Sequence, residues 1–500
     1  LGAGQGGAWR EWQKWSSAHA ATRQCRTDAA RIPETRGRLR WPDRVGVIPP
    51  GRAYAEGAGF AEVLTPEGIA AVVAYIGEPL ATVPRWSEAD ITASREMNPD
   101  YAPVDAPVFT ADPMNITLVV ETGDHHVSVL DGDTFEVLDR FPTPFAVHGG
   151  PKFSPDGHYV FIMSRDGWVQ KYDIWALKEA GRVRAGVNSR NIAMSQDGKW
   201  LAVANYLPMT LTILSTGDLS VVKVRDVIAR DGTPSRVSAV YQAPDRKSFI
   251  LALKDAPEIW EIATDPDAGP FHDGFVHSYE KGMEENLSAE QGLFARRRIQ
   301  IDEPLDDFFF SPGYHNLIGA SRGGDRGVVI NLDVGRKIAE LPLPGMPHLG
   351  SGISWISGGR RVMATPHLKE GVLSVIDIDD WSLVKTIKTL GPGFFLRSHE
   401  NSPYVWADVF FGPNKDKIHV IDKESLEIVR TLDPAPGKTV AHVEFTRDGS
   451  HALVSVWEDD GAVIVYDAKT LEEVRRLPMR KPSGKYNVWN KITFDDGTSH

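Results

Sequence analysis

FSPDGHYV at residues 153–160 is the stretch that decides the fold, because it returns in altered spelling along the chain. The copies are MSQDGKWL (194–201), APDRKSFI (243–250), FSPGYHNL (310–317), ISGGRRVM (356–363), SHENSPYV (398–405) and FTRDGSHA (445–452). Pro, Asp and Gly at the centre supply the restricted or positive φ of a tight turn, and the alternating apolar flanks read as half-buried strands. Each copy therefore predicts a hairpin. A second hairpin follows about 20 residues later, where a strand ends in Asp or Asn before a short polar turn. Examples are VSVLDGDTFEVLDRF (127–141), LSVIDIDDWSLVKTI (373–387), IHVIDKESLEIVRTL (418–432) and VIVYDAKTLEEVRRL (463–477). Ser154 and Ser195 lie 41 residues apart, and two hairpins in such a period make one four-stranded propeller blade.

Seven turn copies, with a strand pair near 116–129 that closes against the C-terminus, predict an all-β, eight-bladed propeller over residues 112–500. The charged, Gly-rich stretch 265–300 reads as a surface excursion or partly helical loop without chemistry. Residues 85–111 are Pro-rich and read as a linker. Before them, Thr65 is a candidate N-cap for an amphipathic helix over 60–75, with Glu67 in its first turn and Ile69, Val72, Val73 and Ile76 on one face. Residues 1–59 carry ten Lys or Arg against five Asp or Glu and no sustained apolar period, so no independent core is expected there.

Composition narrows the function. The 500 residues carry a net charge of −12, which gives no general attraction to nucleic acid or anionic lipid. No apolar run reaches the roughly 18 residues of a membrane span. The single cysteine, Cys25, permits no disulfide, no CxxC metal site and no CxxCH haem attachment. GxSxG, GxxxxGK[ST] and HExxH are all missing, which removes the usual hydrolase, phosphate-loop and zinc-peptidase readings.

Four separated motifs say more than the fold does. FAVHGGPKFSPDGHYVFIMSRDGWVQKYDIW (145–175), GPGFFLRSH (391–399), VSVW (454–457) and PSGKYNVWNK (482–491) resemble the haem d1-binding propellers, the family that contains cytochrome cd1 nitrite reductase and its relatives in haem d1 biosynthesis. The resemblance covers residues 112–500. NVWNK followed by GTSH at 497–500 is similar to the branch that dehydrogenates dihydro-haem d1 rather than to the nitrite reductases. FAEVLTPEGIAAVVAYI (60–76) resembles the last helix of a small cytochrome c domain, so residues 1–84 read as a degenerate cytochrome c-like segment. Cys25 and His19 stand in the wrong order for the family's c-type haem, and residues 1 to about 59 read as a degenerate or frame-shifted translation. An intact CxxCH in another frame of the encoding DNA follows from that reading.

By its motif, His148 matches the proximal iron ligand, with Gly149 and Gly150 letting the backbone pass close to a planar ligand. A macrocycle bearing several carboxylates calls for cations, and Arg165, Arg190 and Arg397 are the candidates. Tyr206, Tyr486, Asn487 and Trp489 are candidate lining residues. For the opposite face the resemblance favours His399 and His367, with His348 a third candidate at the same mouth. His399 is the first choice for a catalytic base, and a neutral imidazole suits proton transfer at physiological pH. His125 and His126 are assigned no role.

The resemblance implies haem d1 or dihydro-haem d1 as iron tetrapyrrole and a periplasmic location, although the sequence opens at Leu1 without a signal peptide. Three functions fit: oxidation of a propionate side chain of dihydro-haem d1 to the acrylate of haem d1, nitrite reduction of the cd1 type, or a non-catalytic haem d1 carrier. Cytochrome cd1 nitrite reductase and other haem d1 maturation proteins are the expected partners. The electron acceptor is left open, and neither nucleic acid nor a membrane span is expected.

Overall fold

The computed structural model describes residues 84–272, 288–320 and 326–494, with six positions between 65 and 74. The chain divides into two compact units, Leu1–Pro84 and Arg85–His500. In the first unit Thr65 Oγ1 accepts the Gly68 amide at 3.1 Å, and Glu67, Gly68, Ala70, Ala71 and Ala74 are helical, as the N-cap reading requires. The stretch around Cys25 and His19, and GTSH at the other end, lie outside the described residues.

The second unit is an eight-bladed propeller of four-stranded antiparallel sheets. Blade 1 pairs the C-terminal strand Pro482–Asn487 with Thr117–Glu121, followed outward by His126–Leu130 and Val137–Pro142. The pairing Leu118 with Tyr486 closes the ring as the sequence predicts. Blades 2 to 8 begin with the innermost strands Lys152–Phe153, Asn188–Met194, Val237–Ala243, Asp307–Phe310, Ile353–Ser357, Leu396–Arg397 and Val440–Phe445.

All seven turn copies join the first and second strands of a blade. Gly157, Gly198, Gly313 and Gly449 take φ of 70 to 75° in four of them, the region glycine enters without a Cβ clash. The outer hairpins share another device. The Asp or Asn that ends the strand accepts the amides of the turn, as Asp131, Asn331, Asp422 and Asp467 do. An apolar residue then takes positive φ (Phe135, Leu177, Leu219, Trp381, Leu426, Leu471) and the ladder shifts register. Such a bulge sharpens the twist that fits one blade against the next. The core accordingly lies between blades: Val119 and Leu130 of blade 1 pack with Leu453 and Val463 of blade 8.

Two stretches are more ordered than their composition suggests. In 85–111, Ser87 and Asp90 cap the helix Glu88–Ala93 reciprocally, and Glu96–Met97 adds a fifth strand to the edge of blade 2. Trp86 fastens the segment there, its Nε1 donating to the Arg184 carbonyl at 2.8 Å. The expected excursion 265–300 needs a correction, because its last part, Arg296–Gln300, is the outer strand of blade 4 and pairs with Glu258–Ala263. Arg296, Arg297 and Arg298 hide strand propensity behind charge, and Glu258 and Glu261 receive Arg298 and Arg297 at 2.7 and 3.1 Å. Among the described residues no helix is long and apolar enough to cross a membrane.

Candidate tetrapyrrole site

Strand direction sorts the candidate residues. In every blade the innermost strand runs from one mouth of the propeller to the other and the second strand returns. Residues just before a first strand or at the end of a second therefore gather at one mouth, called upper here, while the seven turn copies lie at the lower mouth. His148, Arg165, Tyr206, His348 and His367 occupy upper positions, and His399 falls inside a lower turn.

His148 is held before blade 2 by its amide, which donates to Met163 O at 3.0 Å. Its Nδ1 lies 2.8 Å from Arg190 O, so the ring donates there and keeps its lone pair on Nε2. The acceptor that fixes this tautomer is backbone, which is why no side-chain pattern announced it. Burial, with Arg165 and Arg190 adding to it, pushes His148 well below the usual histidine range, and the ring stays neutral. Arg190 Nη1 and Arg165 Nη2 stand 2.9 and 3.2 Å from Nε2. Gly149 and Gly150 both have positive φ, and a Cβ would come 2.6 Å from Asn191 Cβ at the first and 3.2 Å from the Tyr486 ring at the second.

Cations continue around blades 3 and 4. The Tyr206 ring lies 5.5 Å from both the Arg236 guanidinium and Lys254 Nζ. Burial alone would raise its phenol, but Arg190 and Lys254 outweigh burial and lower it. The side facing them is different. Asp307 of blade 5 accepts the Tyr241 hydroxyl at 3.0 Å and the Gly350 amide at 3.0 Å, and its Oδ2 is 3.7 Å from His348 Nε2. His348 Nδ1 is 2.8 Å from Phe394 O, again leaving a lone pair on Nε2. Burial holds His348 below 6.5 against the pull of Asp307.

Rings close the circle: His348 lies 4.3 Å from Phe394, Phe395 4.7 Å from His442, and His442 5.4 Å from Tyr486. His442 escaped sequence reasoning. It sits in an ordinary-looking strand, Val440–Phe445, where a register shift between Ala441 and Val443 turns it out of the ladder with φ 50°. Its Nδ1 accepts the Lys485 amide at 3.3 Å, so the neutral ring carries its proton on Nε2. Tyr486, pushed by burial up to about 12, keeps its hydroxyl proton.

Other candidates are committed elsewhere. His399 is 2% exposed, with Nε2 3.1 Å from Arg447 O and Nδ1 accepting the Asn401 amide, at the mouth opposite His148. His367 is fully buried between Pro344 O and Ser374 Oγ. The Arg397 guanidinium donates to Glu444 at 2.6 Å in the core. Asn487 caps the helix Val488–Thr493, and Trp489 stacks under Arg447 at 4.5 Å, both at the lower end. Of the expected set, the upper mouth keeps His148, Arg165, Arg190, Tyr206, Tyr486 and His348, together with His367, whose ring is sealed by its own bonds.

The cytochrome D1 heme domain profile matches residues 111–491. The chain belongs to this family. Among cytochrome D1 heme-domain relatives, the dihydro-heme d1 dehydrogenase of Pseudomonas aeruginosa is 49% identical over 489 residues, covering 98% of this chain and 94% of that one. Protein NirF of the same organism is 29% identical over 378 residues, covering 74% and 90%. A solved structure of dihydro-heme d1 dehydrogenase NirN in complex with DHE superimposes with a TM-score of 0.78 at 50% identity, covering 91% of this chain and 93% of that one. The family's iron tetrapyrrole fits the residues present: one neutral imidazole whose unprotonated Nε2 is met only by the Arg190 and Arg165 guanidinium groups, which a carboxylate-bearing macrocycle would draw to its own side chains.

Proposed function

We propose that this chain binds dihydro-haem d1 at the upper mouth and oxidises one propionate side chain to the acrylate of haem d1. The observation that carries the reading is a ligand-competent imidazole, His148, flanked by Arg190 and Arg165 at 2.9 and 3.2 Å, at the same mouth as a second neutral imidazole, His348, whose Nδ1 is held by Phe394 O. The reaction converts –CH₂–CH₂–COO⁻ into –CH=CH–COO⁻ and releases two protons and two electrons. The substrate's iron supplies a first electron sink, and an outside one-electron oxidant removes the electrons, since one cysteine cannot make a CxxCH haem site in this sequence.

Arg165 and Arg190 fix the carboxylates in place. His348 acts as the base: its Nε2 is unprotonated at neutral pH, and Asp307 at 3.7 Å stabilises the imidazolium that forms. His442 Nε2–H and the Tyr486 hydroxyl act as donors to the carboxylate as negative charge builds on it. His399 and His367 carry no proton in this reading, which replaces the first choice made from sequence. A periplasmic location is proposed with it, and cell fractionation checks that separately.

The test is anaerobic mixing of the protein with dihydro-haem d1 and a chemical oxidant, followed by absorption spectra and product mass. A spectral shift on binding and a loss of about two hydrogens are expected. Binding without mass change would instead favour a carrier. His148→Gly is expected to alter the spectrum of the bound tetrapyrrole, with added imidazole restoring it; an unchanged spectrum would remove His148 as the iron ligand.

A further inference from the structure

We propose that Asp408, at the end of the second strand of blade 7 (Tyr404–Asp408), is a positioning residue that sets the imidazoles of His348 and His442. This rests on the functional reading above. Asp408 is 1% exposed and both its carboxylate oxygens point at backbone. Oδ1 accepts the amides of Phe394 at 2.7 Å and Phe395 at 3.0 Å, and Oδ2 accepts the amide of His442 at 3.2 Å.

Each bond governs a different ring. Phe394 receives the His348 Nδ1 proton on its carbonyl, so the peptide tied down by Asp408 is the one that selects the His348 tautomer. His442 stands in the register shift of its strand, where its amide has left the ladder to Val456 and Ser455; a buried amide in that position needs an acceptor, and Asp408 provides it. One carboxylate thus spans blades 6, 7 and 8. Burial raises Asp408 to about 6, opposed by its three backbone donors and by Lys485 on the closing strand. An ionised carboxylate is also the side chain suited to the task, because four lone pairs and no proton can face three converging donors. Neutral Asn cannot reproduce this: with its oxygen on Phe394 and Phe395, its NH₂ meets the His442 amide donor to donor.

Asp408→Asn and Asp408→Glu in the full chain test the proposal by two routes. The first is turnover of dihydro-haem d1 with a chemical oxidant. Asp408→Asn is expected to lower kcat between about tenfold and a hundredfold with KM within about twofold, since Arg165, Arg190 and His148 lie on other blades. Asp408→Glu, which keeps the acceptors, is expected to recover part of the loss. The second route does not need turnover: two-bond proton–nitrogen spectra of histidine-labelled protein, assigned by single substitutions, read ring tautomers directly. The His348 and His442 signals are expected to move in Asp408→Asn, while His367 and His399, held by the Pro344 and Arg447 carbonyls, keep theirs. Unmoved His348 and His442 signals, equal disturbance of all four rings, or a kcat loss matched by a rise in KM would overturn the proposal. If the unsubstituted protein turns over nothing, the functional reading fails and the ring signals alone decide the role of Asp408.

Discussion

His348→Gln is expected to lower kcat for dihydro-haem d1 by about 10²–10⁴-fold, the usual worth of a positioned general base. Binding is expected to survive, because the groups proposed to hold the tetrapyrrole, His148, Arg165 and Arg190, sit across the opening on blades 2 and 3. The pH dependence has a definite sign. Burial places His348 below 6.5, so the active, neutral form fills at neutral pH and is lost as pH falls through the depressed pKa. The wild-type kcat should therefore fall on the acid side, where protonation of Asp408, raised to about 6, adds to the fall, and His348→Gln should remove the His348 part of that limb. His399→Gln supplies the contrast: its ring is bonded at both nitrogens at the lower mouth, and kcat is expected to change less than about twofold, in line with substitutions away from a reacting centre. Steady-state kinetics from pH 5 to 8 measures both. A variant pair with the opposite pattern would return the base to His399.

Glu444→Gln is expected to cost about 3–5 kcal/mol of stability, as removal of one partner from a buried ion pair does. Glu444 is fully buried, bonded to Arg397 Nη2 at 2.6 Å, Asn490 Nδ2 at 3.0 Å and its neighbouring Phe445 amide at 3.0 Å. Three cations share its surroundings, but they differ in what they can shed. Burial lowers Lys485 to about 7 and Lys491 well below 10.5, so both can give up a proton when the carboxylate disappears. A guanidinium cannot, and Arg397 is left charged in the core. Burial would raise the Glu444 carboxyl, but Arg397 and Lys491 outweigh it and hold it below 4.5. Its folded pKa being depressed, its contribution is present above the unfolded carboxylate range and disappears as pH falls through the folded value. The urea midpoints of wild type and Glu444→Gln should accordingly lie far apart at pH 7 and converge below pH 4.5. A difference under about 1 kcal/mol at pH 7 would mean the pair behaves as a solvated one.

Both predictions turn on positions that were legible as residues and illegible as places. Arg397 stood in a motif beside His399 and looked like a carboxylate binder, yet its guanidinium is taken by a glutamate from the next blade. His399 carried a usable signal: it falls within the turn copy 398–405, and that class of turn lies at the mouth away from residues preceding a first strand. His367 and His348 both lie at the correct mouth, and only their bonds separate them, one ring sealed between an accepting carbonyl and a donating hydroxyl and the other open at Nε2. His442 and Asp408 carried no sequence signal. A bulge and a carboxylate accepting three amides are consequences of how strands meet, and composition does not record them.

By itself the sequence determined the repeat, the eight blades, the closure by the C-terminal strand and the resemblance to the haem d1-binding propellers that made His148 the candidate iron ligand. Those features are written in local chemistry, in turn residues and strand alternation that every blade states again. The tertiary structure decided which histidine keeps an open Nε2 beside Asp307, what holds Arg397, and that a basic run at 296–298 is a strand. These depend on which groups from separate blades meet at a common axis, and a contact between residues 40 or more positions apart is fixed by blade packing rather than by either residue's neighbours in sequence.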